Sequence, residues 1–190
     1  EPYAANVLTS DVQWSGPIFS VRRDVLEYAG ERLTRDVVAH LDAVAVVAFD
    51  EDDRVLLVRQ YRHPVGRREW ELPAGLADVP GESLEAAARR ELVEETDHDA
   101  RDWSVLLRHY SSPGFTDEHL TTFLARGVAP VPPQRRHTRT EEEADMEIGW
   151  FPLSDAVAAA LAGDLQNVTT VAGLLAADRQ VGSRTPGNAS

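Results

Sequence analysis

Cysteine is absent from all 190 residues, which excludes disulfides and thiolate metal sites and fits a reducing compartment. Positive charge is scarce: 19 Lys and Arg face 32 Asp and Glu, for a net charge of −13. That balance argues against nonspecific binding to nucleic acid or anionic membranes, which needs clustered cations. A phosphorylated small molecule stays open, because local arginines and a metal can override the overall field. No apolar run approaches the length of a membrane span, and the N-terminus lacks a basic-then-apolar signal. The expectation is a soluble, cytoplasmic protein with neither nucleic acid nor membrane as partner. The length suits one well-packed domain with a small added subdomain.

What is present begins with strands. Residues 1–10 read as a loose lead-in, followed by strand-like runs at Asp11–Trp14, Ile18–Glu27 and Glu31–Ala39. This part has too few apolar residues to bury a core alone, so it must pack on something else. Ala43–Phe49 and Val55–Val58 are apolar runs expected to form a hairpin across Asp50-Glu51-Asp52-Asp53. A short strand at Glu69–Leu72 leads into a turn at Pro73-Ala74-Gly75. Ser83 is the expected N-cap of a helix over Leu84–Glu95. Strands follow at Trp103–Tyr110, Leu120–Ala125 and Met146–Phe151, with a mobile loop at Pro130–Arg139. Ser154 is expected to cap a helix over Asp155–Leu161, and a last helix spans Val168–Arg179. The tail at 181–190 lacks apolar content and is expected to be disordered. The pattern is α+β: a mixed sheet with helices packed on it, preceded by a small antiparallel sheet.

The helix over Leu84–Glu95 carries its charge against ordinary stability rules. Glu91, Glu94 and Glu95 stand at i, i+3 and i+4 and share one face near the helix C-terminus. Like charges at those spacings repel, and the negative end of the helix dipole is a poor place for them. A hard divalent cation such as Mg²⁺ or Mn²⁺ turns that repulsion into binding. A backbone carbonyl in the turn at Ala74 can add a further oxygen. Two such ions would bind both sides of a pyrophosphate and activate a water, with a nearby Glu as base.

Three more features fit phosphoanhydride chemistry. Arg59 and Arg62 lie on opposite faces of their strand, and Arg62 is the choice for a phosphate contact. The Pro113-Gly114 turn, followed by an aromatic and two acids, can shape a substrate pocket. Glu141-Glu142-Glu143-Ala144-Asp145 reads either as a solvated loop or, near a metal, as a source of a ligand or general base.

The stretch from Gly75 to Asp97 resembles the Nudix signature, a glycine, a glutamate and then Arg-Glu-hydrophobic-x-Glu-Glu-x-Gly. Glu82 is followed by seven residues and then by Arg90, Glu91, Leu92, Val93, Glu94 and Glu95. Two departures stand out. Six residues separate Gly75 from Glu82, one more than usual, and Asp97 replaces the closing glycine. Over about Val12 to Ala177 the chain is similar to the ADP-ribose pyrophosphatase branch, including actinobacterial members. Glu71-Leu72-Pro73-Ala74-Gly75 matches that branch, and so does Pro113, sixteen residues after Asp97.

The resemblance implies an α/β/α sandwich over 41–180 and an N-terminal β-segment over 1–40 exchanged across a homodimer. It implies hydrolysis of ADP-ribose to AMP and ribose 5-phosphate, with two or more Mg²⁺ (or Mn²⁺) ions per site. The Ala74 carbonyl, Glu91 and Glu95 would bind metal, with Glu82 supporting and Glu94 facing the cluster. Arg90 would brace the helix by pairing with Glu82 or a neighbour. Glu143, or else Glu142, would activate water. Arg62 would hold a phosphate or the terminal ribose, Phe19 and Arg35 would sandwich adenine, and Pro113 and Gly114 would line the pocket. Two other readings remain: another nucleoside-diphosphate sugar or related nucleotide as substrate, or a ligand sensor that keeps the fold without catalysis.

Overall fold

The computed structural model describes residues 5–139 and 145–182. The start of the expected lead-in, Glu141–Glu143 and residues 183–190 lie outside the described residues, and the expected tail is corrected at its start, because Val181 and Gly182 continue the last helix. The chain divides into two compact units, Glu1–Asp42 with Tyr110–His119, and Ala43–His109 with Leu120–Ser190.

The first unit is an antiparallel meander of β1 (Asn6–Ser15), β2 (Phe19–Tyr28) and β3 (Glu31–His40). Ala29 and Gly30 both have positive φ, as a two-residue hairpin turn between right-twisted strands requires. The lead-in expectation is corrected here: the strand begins at Asn6, because ladder pairing with β2 supplies order that the residues' own pattern does not signal. Ser10 Oγ donates to Asp24 and Asn6 Nδ2 to Glu27, so polar side chains reinforce the pairing. The segment Tyr110–His119 straps onto β3, with Val38 N donating to Phe115 O and Asp117 N to Val38 O.

In the second unit β4 (Ala43–Ala48) is buried from end to end, which explains its unbroken apolar run. Its alternate residues serve two cores. Val44, Val46 and Ala48 pack with Ala87, Ala88 and Leu92 of α1 (Leu84–Thr96). Ala45 and Val47 pack with Leu153, Ala156 and Ala160 of α2 (Leu153–Ala162), and with Leu174 and Ala177 of α3 (Val168–Gly182). The unit is therefore helix on sheet on helix. Truncating the fully buried Leu92 to Ala costs about 2–5 kcal/mol by cavity formation.

Two sheets lie between the helices. One is mixed and runs β7 (Ala74–Leu76), β4, β9 (His119–Pro130), β8 (His98–Tyr110), with β4 and β9 parallel. The other runs β10 (Glu147–Pro152), β5 (Arg54–Arg62), β6 (Arg67–Glu71). Both edges of β4 are thus taken, and the hairpin expected across Asp50–Asp53 shrinks to one bridge, Phe49 to Val55. Asp50 redirects the chain there by accepting from the amides of Asp52 and Arg54.

Three smaller corrections follow. Ala74 and Gly75 lie in β7, whose short ladder to β4 extends what looked like a turn alone. Pro152 takes the N-cap of α2, while Ser154 sits inside the helix and donates to Asp155. The segment over Pro130–Arg139, expected to be loose, contains a 3₁₀ turn at Pro133–Arg135 and is fastened to the end of α1.

Candidate active site

Helix α1 starts where Ser83 Oγ accepts the Ala86 amide. Burying Ala87, Ala88 and Leu92 fixes its rotation, and that same rotation turns Glu91 and Glu95 inward, where both are buried. Each meets β7. The Ala74 amide donates to Glu95 Oε2 at 3.0 Å. Gly75 offers only its Cα to Glu91: a Cβ there would stand 2.1–2.4 Å from the carboxylate atoms. The glycine is needed for this close approach. Register delivers it, because Ala74 and Gly75 pair with Ala45 and Val44 of β4, against which α1 packs.

Arg90 draws the remaining acids together. Its Nη1 donates to Glu91 at 2.6 Å and to Glu94 at 3.2 Å, and its Nη2 donates to Glu82 at 3.2 Å, Asp78 at 3.3 Å and the Leu76 carbonyl at 3.0 Å. Burial alone would lower the Arg90 pKa. The hydrogen bond to Glu82 and the charge of Glu91 outweigh it, and the net shift is upward, so the guanidinium stays charged. Four carboxylates share this one cation.

A resident divalent cation is implied by that excess. Among the described residues no three His, Asp or Glu side chains converge as a metal cluster, and Arg90 holds three of the glutamates in its own fan. The donor chemistry nevertheless fits. The candidates are oxygen donors only, Glu91 and Glu95 are buried on the backbone of Ala74 and Gly75, and negative charge exceeds positive. Every fixed positive charge in the chain is an arginine, since the sequence contains no lysine.

Asp97 closes α1 in the left-handed region, φ 58° and ψ 29°, where glycine is favoured and other residues pay about 1–2 kcal/mol. Its carboxylate accepts from the His137 amide at 3.1 Å and from Arg139 Nη2 at 2.8 Å. Glu142 and Glu143 lie outside the described residues.

Arg62 turns to Glu71, with Nη2 to Oε2 at 2.6 Å and Nε to both oxygens at 3.1 Å. With Arg67, Gln166 and Asn167 this pair lines a cavity of about 630 Å³. Arg59 points the other way, towards Glu147 and the face of Trp70. Phe19, Arg35, Pro113 and Gly114 belong to the first unit, not to the one carrying α1. Phe19 rests against Trp14 with ring centroids 5.2 Å apart, and Arg35 is exposed and donates to the Thr34 carbonyl. Pro113 and Gly114 form the exposed tip of the strap, closed by Phe115 and Thr116 amides donating to Ser112 O.

Sequence reasoning gave no role to Glu71, Asp78 or Arg139. Glu71 is a buried carboxylate inside a motif read mainly for its turn, and its partner across the β5–β6 hairpin carries no spacing signal. Asp78 and Arg139 reach their partners through loops, where residue spacing predicts nothing.

The NUDIX domain family model matches residues 39–171, more than half of the chain. The chain belongs to the Nudix family. Helix α1 and the β7 strand that meets Glu91 and Glu95 both lie inside the matched range. Among curated relatives, the ADP-ribose pyrophosphatase of Mycobacterium tuberculosis is 44% identical over 170 residues, covering 89% of this chain and 81% of that protein. The ADP-ribose pyrophosphatase of Bacillus subtilis is 35% identical over 128 residues, covering 67% of each. A crystal structure of an ADP compounds hydrolase superposes with a TM-score of 0.81 over 97% of this chain and 98% of that one, at 23% identity, and so shares the fold.

Proposed function

We propose that the chain hydrolyses the pyrophosphate bond of ADP-ribose in a divalent-cation-dependent reaction. Water adds to one phosphorus, the bridging P–O bond breaks, and AMP and ribose 5-phosphate leave. The carrying observation is the buried Glu91 and Glu95 pair seated on Ala74 and Gly75. The two ADP-ribose pyrophosphatase relatives support the substrate.

Glu91, Glu95 and the Ala74 carbonyl would hold Mg²⁺ or Mn²⁺, two or more ions per site, with Glu82 and Glu94 supporting. Such ions supply charge neutralisation of the phosphates and a water of lowered pKa. The chain's own residues do the rest. Arg90 keeps the acids splayed at fixed positions and stays protonated throughout. Arg62, with its fork preset by Glu71, suits a phosphate oxygen or the terminal ribose. Glu94, and outside the described residues Glu143 or else Glu142, are the candidate bases. Phe19 and Arg35 would take the adenine, with Pro113 and Gly114 walling the pocket. The N-terminal segment over 1–40 would be exchanged in a homodimer, the 41–180 part carrying catalysis, and a cytoplasmic setting accords with the absence of cysteine.

A turnover panel with Mg²⁺ tests the reading: ADP-ribose, other nucleotide sugars and nucleoside triphosphates. ADP-ribose is expected among the best substrates. A chain that cleaves triphosphates and spares ADP-ribose would refute the assignment.

A further inference from the structure

At Asp97 the closing glycine of the signature is replaced, and the replacement does something a glycine cannot. The Asp97 carboxylate accepts from the His137 amide at 3.1 Å and from Arg139 Nη2 at 2.8 Å. The Asp97 carbonyl accepts from the Val131 amide at 2.8 Å. Arg139 Nε donates in turn to the Glu94 carbonyl at 3.2 Å, in the last turn of α1. Arg135 adds a pair to Asp99 just beyond the helix. The stretch over 131–139 is thereby bound at both of its ends to the helix terminus.

The Asp97 and Arg139 side chains are about three-quarters buried or more, at 24% and 20% exposed, so solvent competes weakly for the pair. A cation at the C-terminal turn also opposes the negative end of the helix dipole, where Glu94 and Glu95 add further negative charge. A last-turn carbonyl that would otherwise depend on water gains a guanidinium donor.

We infer that Asp97 is a positioning residue: with Arg139 it latches the 131–139 segment to the last turn of α1 and holds the turn that carries Glu94 and Glu95. This rests on the cation-site reading above. Glycine would adopt the left-handed cap more easily than Asp, so Asp97→Gly separates the latch from the cap. A residue serving the backbone alone would tolerate that change or benefit from it.

The test is Mn²⁺ affinity of the full chain without substrate, read by electron paramagnetic resonance, alongside kcat on ADP-ribose. Asp97→Gly and Arg139→Gln are each expected to weaken Mn²⁺ binding about ten-fold, the scale of lost outer contacts to metal ligands. The double variant should bind no more weakly than either single one, since the two side chains act as a unit. Asp97→Asn keeps the left-handed tolerance and an acceptor for His137, and should lie between wild type and glycine. Wild-type affinity in Asp97→Gly or Arg139→Gln, or losses that add in the double variant, would overturn the latch alone. A wild-type chain that binds no Mn²⁺ overturns the cation-site reading and the latch with it.

Discussion

Gly75 is the residue whose size matters most to the account. A methyl group at this position would occupy the space of the Glu91 carboxylate, at 2.1–2.4 Å from its atoms. Gly75→Ala is therefore expected to displace Glu91 while leaving the packing of Leu92 intact. Displacement of a reacting group by about 1 Å costs on the order of 10²-fold in rate, so kcat should fall by about that factor. Circular dichroism and thermal midpoint would report an unchanged fold; full activity in this variant would remove Glu91 from the site. The acids of α1 were legible from spacing alone, because i, i+3 and i+4 on a helix is a geometric identity. The pairing of Arg62 with Glu71 was not, since the β5–β6 register sets Arg62 opposite Arg67 and Glu71 opposite Val58, and the Arg62 side chain reaches along the ladder to Glu71.

Among elements, the strap over Tyr110–His119 shows how charge ties a segment to a sheet. Asp117 accepts from Arg22 Nη1 at 2.7 Å and from the His40 amide at 3.0 Å. Burial would raise its pKa, but these donors outweigh burial and hold it below the ordinary Asp value. A carboxylate depressed in the folded state stabilises the fold above its unfolded pKa and loses that contribution as pH falls through the folded one. The first unit should therefore loosen only as pH drops below about 4, the ordinary Asp range. Hydrogen exchange at the His40 amide measures this, and Asp117→Asn should flatten the dependence; an equally steep profile in that variant would assign the effect to other acids. At this scale the sequence read well where burial was symmetric and poorly where partners were distant. The apolar run of β4 announced a strand, but nothing in it said that β7 and β9 would take its edges and break the expected hairpin with β5. Pro152 outranked Ser154 as the start of α2 because β10 feeds the helix with no intervening loop.

The whole molecule comprises a well-buried unit that carries α1 and a small sheet that covers little of its own apolar surface. Val12, Trp14 and Ile18 of the first unit are 67%, 52% and 55% exposed in the single chain, more than a three-stranded sheet tolerates alone. A second copy covering them predicts a dimer in sedimentation at micromolar concentration; a clean monomer would reject the exchanged segment. The net charge of −13 concentrates its chemical meaning in α1, where carboxylates crowd one guanidinium and ask for a cation. Glu95 is the most direct handle on that claim, being buried and bonded to the Ala74 amide. The decisive measurement is Mg²⁺-dependent hydrolysis of ADP-ribose by Glu95→Gln beside the wild type. The account predicts that the variant folds normally and loses at least about 10²-fold in turnover at saturating Mg²⁺. Unchanged turnover in Glu95→Gln would contradict it.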